Sequence, residues 1–308
     1  MVSSVTETGG SWFEESVLDW RYYGLVEETL RDGFEFGYAV LTSPDGRKRC
    51  VQPLFQLRQE LFAGLPEVLR QRLPGNPRLR MLMAGCAAGE GQPAAEAPWA
   101  VEALAGALSA YAREVGASAV VLKDIPAGYR ASLDGLKEAG FHRMPSFPGA
   151  RLAFDFPDFE TYLTTRLSRT YRKGLRRKFR ECERRGGVTM ERVDDLAPWL
   201  DQVYPLYLQT WERSRYRFER LTPEYFAGFS RWMPERVRFF LWKTEGRVVA
   251  FSACLLHDGV LHDLNVGLDY RVALDLHLYF VTWRDLVIWA LNEGIKGYAS
   301  GPLNYDPK

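Results

Sequence analysis

Twice in this chain a long apolar run with helical spacing closes on an alanine, three further residues and a glycine, then gives way to a short strand-like run. These closures are Ala112 to Gly116 and Ala290 to Gly294, 178 residues apart. A glycine just past a helix supplies the left-handed turn that ends it. A strand, a long helix and a second strand in succession form a crossover whose two strands lie parallel. That order occurring twice in 308 residues predicts one α/β fold duplicated rather than two unrelated domains.

The first copy is assigned to residues 1–156. Residues 12–30 read as helical, and residues 34–41 and 48–55 flank the turn signal Ser43, Pro44, Asp45 and Gly46, which predicts a β-hairpin. Residues 60–73 return to helical spacing before Pro74, Gly75, Asn76 and Pro77 break it. Then come a strand at 79–84, a glycine-bearing loop at 86–91, a helix at 98–115, a strand at 117–122 and a further helix at 127–139.

The second copy is assigned to residues 157–308. Leu167, Tyr171, Leu175, Phe179 and Cys182 lie on one helical face, followed by a strand at 188–193, a helix at 196–211 and three strands at 237–242, 248–256 and 260–266. Residues 278–291 are apolar nearly all round, as in a fully buried helix, and residues 298–300 form a last short strand.

Charge is distributed unevenly. Lys and Arg number 40 against 39 Asp and Glu, a formal +1, yet residues 166–185 hold ten basic residues and two acids, a local +8 that leaves −7 for the remainder. Such local fields govern contact with anions more than the total does. A chain 46% hydrophobic and 26% charged is ordinary for a globular protein, which argues against disordered, collagen-like or disulfide-scaffold classes. The four cysteines show neither CxxC pairing nor zinc-like Cys/His spacing, so no metal site is expected. No signal-like start and no apolar run of about 18 residues stands out, so the expected setting is cytoplasmic, with no membrane partner.

The second half resembles the GNAT-like acyltransferase domains related to the Fem peptidyltransferases, especially tandem-domain proteins of the peptidoglycan-biosynthesis-like N-acyltransferase type. The residues that carry the resemblance are Phe159, Glu160, Tyr162 and Leu163; Arg172, Lys173, Arg176 and Arg177; Tyr204, Tyr207 and Thr210; Asn265 to Tyr270; Leu278, Tyr279 and Phe280; and Gly301, Tyr305 and Lys308. In the first half, Leu122 to Pro126 followed by Gly140 and Phe141 looks like the segment after the same superfamily's central helix. The resemblance covers most of the chain. It implies two tandem GNAT-like domains, mixed sheets flanked by helices, and transfer of an acyl or aminoacyl group to a small-molecule or peptide amine.

Such transfer needs a deprotonated amine, a stabilised oxyanion and a protonated leaving group. In GNAT enzymes a glycine loop at a helix N-terminus holds the CoA pyrophosphate. Gly89 and Gly91 have the glycine spacing of that loop, but Cys86 replaces its first residue and the helix begins several residues later, so a simple turn is the competing reading. The second half lacks the glycine pattern, and its donor need not be acetyl-CoA. Tyr279 and Tyr305 are candidate proton donors to the leaving group, with core packing the stronger reading for Tyr279. Lys308 falls where Fem-type enzymes have a lysine that meets substrate phosphate or carboxyl groups.

On the strand 260–266, period-two alternation places Asp263 and Asn265 on one face and His262 with Leu264 on the other. An acid and an amide side by side suit an ammonium acceptor; a hydrogen-bonded structural pair is the alternative. His262 and His277 are candidate bases. Asp275 stands just before the buried helix, as its cap or as a substrate contact, and Trp211 ends its helix as a further candidate substrate contact. The basic segment 166–185 has three readings: a solvated face, a phosphate contact for the donor through Arg172 and Arg176, or a tRNA-backbone contact.

The leading expectation is an N-acyltransferase that uses an acyl-CoA-type donor in a ternary complex, with catalysis in the second half. A Fem-like transferase fed by aminoacyl-tRNA and a non-catalytic ligand-binding GNAT scaffold are the alternatives.

Overall fold

A computed structural model describes residues 1–42, 48–60, 72, 78–93, 98–214 and 217–301. The chain divides into two units, Met1–Phe147 and Pro148–Lys308.

In the first unit, helix α1 (Trp20–Thr29) starts where the buried Asp19 side chain accepts the Arg21 N–H at 2.9 Å. The helix predicted from residue 12 is shorter than expected. Ser11 and Phe13 sit at φ +57° and +59°, which turns the chain before Asp19. Strands β1 (Glu35–Thr42), β2 (Lys48–Glu60) and β3 (Arg78–Ala84) follow, then helix α2 (Pro98–Glu114) and strand β4 (Ala119–Leu122). The sheet order is β1-β2-β3-β4, antiparallel until β3 and β4, which run parallel with α2 as their crossover. Leu54, Leu82, Ala84, Leu104 and Leu108 form the core between sheet and α2.

The predicted hairpin is present, while its turn at 43–46 and most of the helix predicted at 60–73 lie outside the described residues; Glu60 itself is still in β2. The helix expected at 127–139 is instead two short 3₁₀ turns, Ala127–Tyr129 and Asp134–Lys137. Gly128 and Gly135 lie within them, each costing a helix about 1 kcal/mol relative to alanine.

In the second unit, strand β5 (Ala150–Ala153) precedes helices α3 (Phe159–Arg166) and α4 (Arg169–Arg184). The basic segment is therefore broken at Leu167 and Ser168, where the Ser168 hydroxyl accepts the Tyr171 N–H and starts α4. Leu175, Phe179 and Cys182 are buried as the spacing requires, but Tyr171 is 56% exposed. Strand β6 (Thr189–Val193), helix α5 (Leu200–Arg213), helix α6 (Pro223–Trp232), strands β7 (Val237–Thr244), β8 (Arg247–His257) and β9 (Val260–Leu268), helix α7 (Leu278–Asn292) and strand β10 (Gly297–Ser300) complete the unit.

The sheet order is β5-β10-β9-β8-β7-β6, with β9 and β10 parallel and α7 between them in sequence. Thus β7-β8-β9-β10 repeats the connectivity of β1-β2-β3-β4. The strand β5, at residues first grouped with the opening domain, pairs antiparallel with β10 and completes the second sheet.

The two alanine-to-glycine signals end their helices identically. The Ala117 N–H donates to the Ala112 carbonyl at 2.8 Å with Gly116 at φ +65°, and the Ile295 N–H donates to the Ala290 carbonyl at 2.9 Å with Gly294 at φ +69°. These are Schellman closures, in which glycine carries the left-handed residue.

Candidate active site

Strand β9 is irregular where the sequence places its candidate residues. Ala253 faces Asn265, but the next rung pairs Cys254 with Asp263, so Leu264 is an extra residue in the ladder. A bulge of this kind breaks the two-residue period. Asp263 and Asn265 therefore lie on opposite faces of the sheet, not side by side as the alternation predicted. Asn265 Oδ1 accepts the Tyr225 hydroxyl of α6 at 3.2 Å, and Asp263 faces the layer that includes α4 and α7.

Asp263 accepts the Tyr298 hydroxyl on Oδ2 at 2.7 Å and meets the Cys254 thiol on Oδ1 at 3.6 Å. Ser252, two residues before Cys254 on the same face of β8, is fully buried, and its hydroxyl lies toward the Asp263 carboxyl. No cation of the described residues pairs with this carboxyl. Burial dominates over the neighbouring hydroxyl and thiol groups and pushes its pKa up to about 6. Tyr279, the second residue of α7, is 41% exposed, which excludes the core-packing reading. Partial burial, then the Asp263 charge, raise the Tyr279 pKa, so its hydroxyl is a proton donor at neutral pH.

His262 pairs in the ladder with Leu255 and Ala299, on the face away from Asp263. Burial, then the Arg151 charge, push its pKa down to about 4, which makes it a weak base at neutral pH.

The ladder between β9 and β10 ends at the Asp263–Ser300 rung, whereas β9 runs on to Leu268. Beyond Asp263 that edge of β9 faces no described strand, and the Leu268 N–H donates instead to the Thr210 hydroxyl of α5 at 3.1 Å. Gly267 lies in this stretch because α5 packs against it: a Cβ would come within 2.2 Å of Phe251 Cε1 and 2.7 Å of the Tyr207 nitrogen. Just past the strand, the fully buried Asp269 accepts from Arg247 at 2.8 Å and from Arg271 at 2.9 Å, which anchors the loop leading to α7.

Other predicted residues have structural occupations. Asp275 is not the cap of α7; it is exposed and pairs with Arg185 at 3.2 Å. The cap position belongs to His277, at φ +49° with no side-chain cap bond, and its Nε2 lies 2.7 Å from Glu181 of α4. The Trp211 Nε1–H donates to the Glu219 carbonyl at 2.6 Å, with Arg217 and Arg220 over its ring. Arg172 donates to the Thr164 carbonyl at the end of α3, and Arg176 pairs with Glu160. Arg169, Lys173 and Arg180 of α4 have no carboxylate partner among the described residues.

In the first unit, Gly91 is required by close approach, since a Cβ would come within 2.1 Å of the Lys123 carbonyl. Gly89, at φ +147°, packs against Leu18. The Gly91 N–H donates to the Asp124 carbonyl, and the Ala88 and Gly89 carbonyls accept from Tyr22 and Lys123. The loop is packed into its own unit and does not run directly into α2, which explains both glycines without a bound pyrophosphate. Tyr305 and Lys308 lie outside the described residues.

Sequence reasoning missed Tyr298, Cys254, Ser252 and Tyr225. The first three are brought to Asp263 by strand pairing, for which single-strand periodicity carries no signal.

Fold and site together define a class: a twofold repeat of a mixed sheet with a crossover helix, whose second copy holds an acid where a strand leaves its parallel neighbour. Residues 169–308 match the family model described as an acetyltransferase (GNAT) domain. The fold is shared with FemX, at a TM-score of 0.54 and 14% identity over 94% of this chain and 83% of that one. It is also shared with the C-terminal domain (DUF2156) of a provisionally named lysylphosphatidylglycerol synthetase from Agrobacterium fabrum, at 0.50 and 15% over 94% and 74%. In sequence the chain is 26% identical over 249 residues to a protein of Mycobacterium tuberculosis provisionally named 8-amino-7-oxononanoate synthase 2, in two strains. The match takes in 77% of this chain and 31% of that protein, so the chain spans about a third of the length of these curated relatives.

Proposed function

We propose that this chain is an N-acyltransferase that moves an acyl group from an acyl-CoA-type thioester to the primary amine of a small molecule or peptide, in a ternary complex within the second unit. The observation that carries this reading is Asp263: a carboxyl with no cationic partner, at the point where β9 leaves β10, with the Tyr279 hydroxyl in its field. A carboxylate without a cation favours an ammonium guest.

At neutral pH Asp263 is ionised and takes a proton from the ammonium. The freed amine attacks the thioester carbonyl; the C–N bond forms as the carbonyl electrons move to oxygen, the nitrogen gives its second proton to water, and the return of the electrons expels the thiolate. The oxyanion is stabilised by backbone donors on the open edge of β9, and Tyr279 protonates the departing sulfur. With purified protein, a panel of acyl-CoAs and amines is expected to release free thiol, and CoA to raise the melting temperature. Absence of both overturns the proposal.

A second reading, transfer from aminoacyl-tRNA, is favoured by one observation: Arg169, Lys173 and Arg180 lie on the exposed side of α4 without carboxylate partners. It predicts tRNA binding that weakens steeply with salt and is lost when these three become alanine. No binding at low salt eliminates it.

A further inference from the structure

The acid proposed as the base is held by a residue from a different strand. We propose that Tyr298 is a positioning residue of this site: its hydroxyl holds Oδ2 of Asp263 and leaves Oδ1 as the oxygen that accepts the acceptor's proton. This rests on the reading of Asp263 given above.

Three observations support it. The contact, 2.7 Å, has the length of a hydroxyl donating to a charged oxygen. Tyr298 is 8% exposed, and burial together with the Asp263 charge raises its pKa well above the ordinary phenol value. Its hydroxyl therefore keeps its proton and acts only as a donor. Finally, Tyr298 is fixed from both sides, paired with Leu152 of β5 and Leu261 of β9.

By contrast, Oδ1 meets the Cys254 thiol at 3.6 Å, and a thiol is a weak donor. The groups facing the carboxyl are Ser252 and Cys254 from β8, Tyr298 from β10 and Tyr279 from α7. None is a cation, so the Tyr298 bond is the strongest restraint on its orientation and the principal interaction opposing protonation.

The test compares pH profiles of kcat/KM, using acetyl-CoA with the most active amine of the panel, for the wild type, Tyr298→Phe, Asp263→Asn and protein carrying 3-fluorotyrosine at position 298. The wild type is expected to lose activity as pH falls through about 6. In Tyr298→Phe this limb moves up by about one pH unit, which costs about twofold at pH 7, approaches tenfold below about pH 6 and recovers in alkali. Fluorotyrosine, a stronger donor that fills the same space, moves the limb down and keeps the proposal testable if the phenylalanine variant does not fold.

Full activity in Asp263→Asn overturns the reading of Asp263 as the base. Loss of activity there, with coincident limbs in the other three proteins, overturns the role of Tyr298 alone. If no amine is turned over, the function proposal fails, and titration of the Asp263 carboxyl by ¹³C NMR still decides this inference. A pKa that does not move between the wild type and the position-298 variants overturns it.

Discussion

The two units share the connectivity of four strands and a crossover helix, and within that shared part they differ at one end of one strand. In the first, β3 stops where its pairing stops: Ala84 is the last residue, paired with Leu122, and its carbonyl accepts the Lys123 N–H at 2.9 Å. In the second, the corresponding rung is Asp263 with Ser300, and β9 runs five residues further with no strand beside it on that side among the described residues, the Leu268 N–H donating to the Thr210 hydroxyl at 3.1 Å. Counted from the end of the parallel ladder, a fully buried alanine stands in one unit where an acid stands in the other. The fold supplies a crossover helix and a parallel pair in both copies. A candidate site arises only where the strand outruns its neighbour and carries a charge at the point of separation.

The largest effect should come from removing that difference. Asp263→Asn is expected to lower kcat/KM by about 10²–10⁴-fold while the protein stays folded by circular dichroism. Retention of activity would break the comparison, because the units would then differ without consequence.

Packing should separate the units next. Gly267→Ala drives a Cβ into Phe251 and the Tyr207 backbone, and Gly91→Ala drives one into the Lys123 carbonyl. Each is expected to cost roughly 1–3 kcal/mol, measured by denaturant unfolding, with Gly267→Ala also lowering turnover and Gly91→Ala leaving the intrinsic site chemistry intact.

A smaller effect follows from the raised pKa of Asp263. The folded protein holds its proton up to about pH 6, against 3.8 for the free group, so between these values the native state binds more protons than the unfolded chain. Stability therefore falls as pH rises through this window, and the full cost is present above it. Asp263→Asn should remove roughly 1–2 kcal/mol of this pH dependence, after allowance for the partial exposure of the carboxyl. Unfolding curves that are equally pH-dependent in variant and wild type would contradict the assignment.

The smallest effect concerns what the units have in common. Gly116→Ala and Gly294→Ala should each cost about 1 kcal/mol, because both glycines close a helix in the left-handed region. Unequal costs would show that the two closures, though alike in geometry, bear different loads.

The duplication was legible because its signals are local. A glycine past an apolar helix is visible in one dimension, and both closures formed as the spacing required. Helix α6 was also announced, by Thr222 as cap, Pro223 at its first position and Glu224 in its first turn, although these signals drew no assignment. The candidate site was less legible. The pairing of Asp263 with Asn265 failed because a bulge is set by what the neighbouring strand and helices require. The one local hint was Gly267, since glycine inside a strand marks a bulge or a close approach. Tyr298 lies 35 residues from Asp263, and only the parallel register joins them.

The strand that flanks β10 has a practical consequence. Because Ala150–Ala153 hydrogen-bonds along the outer side of β10, severing the chain after residue 156 would strip the second sheet of its border and leave β10 with a row of unsatisfied amides and carbonyls. Such an edge recruits other chains. A second-unit fragment that begins at Pro148 retains its own border strand, whereas one that begins nine residues later would be expected to self-associate through β10.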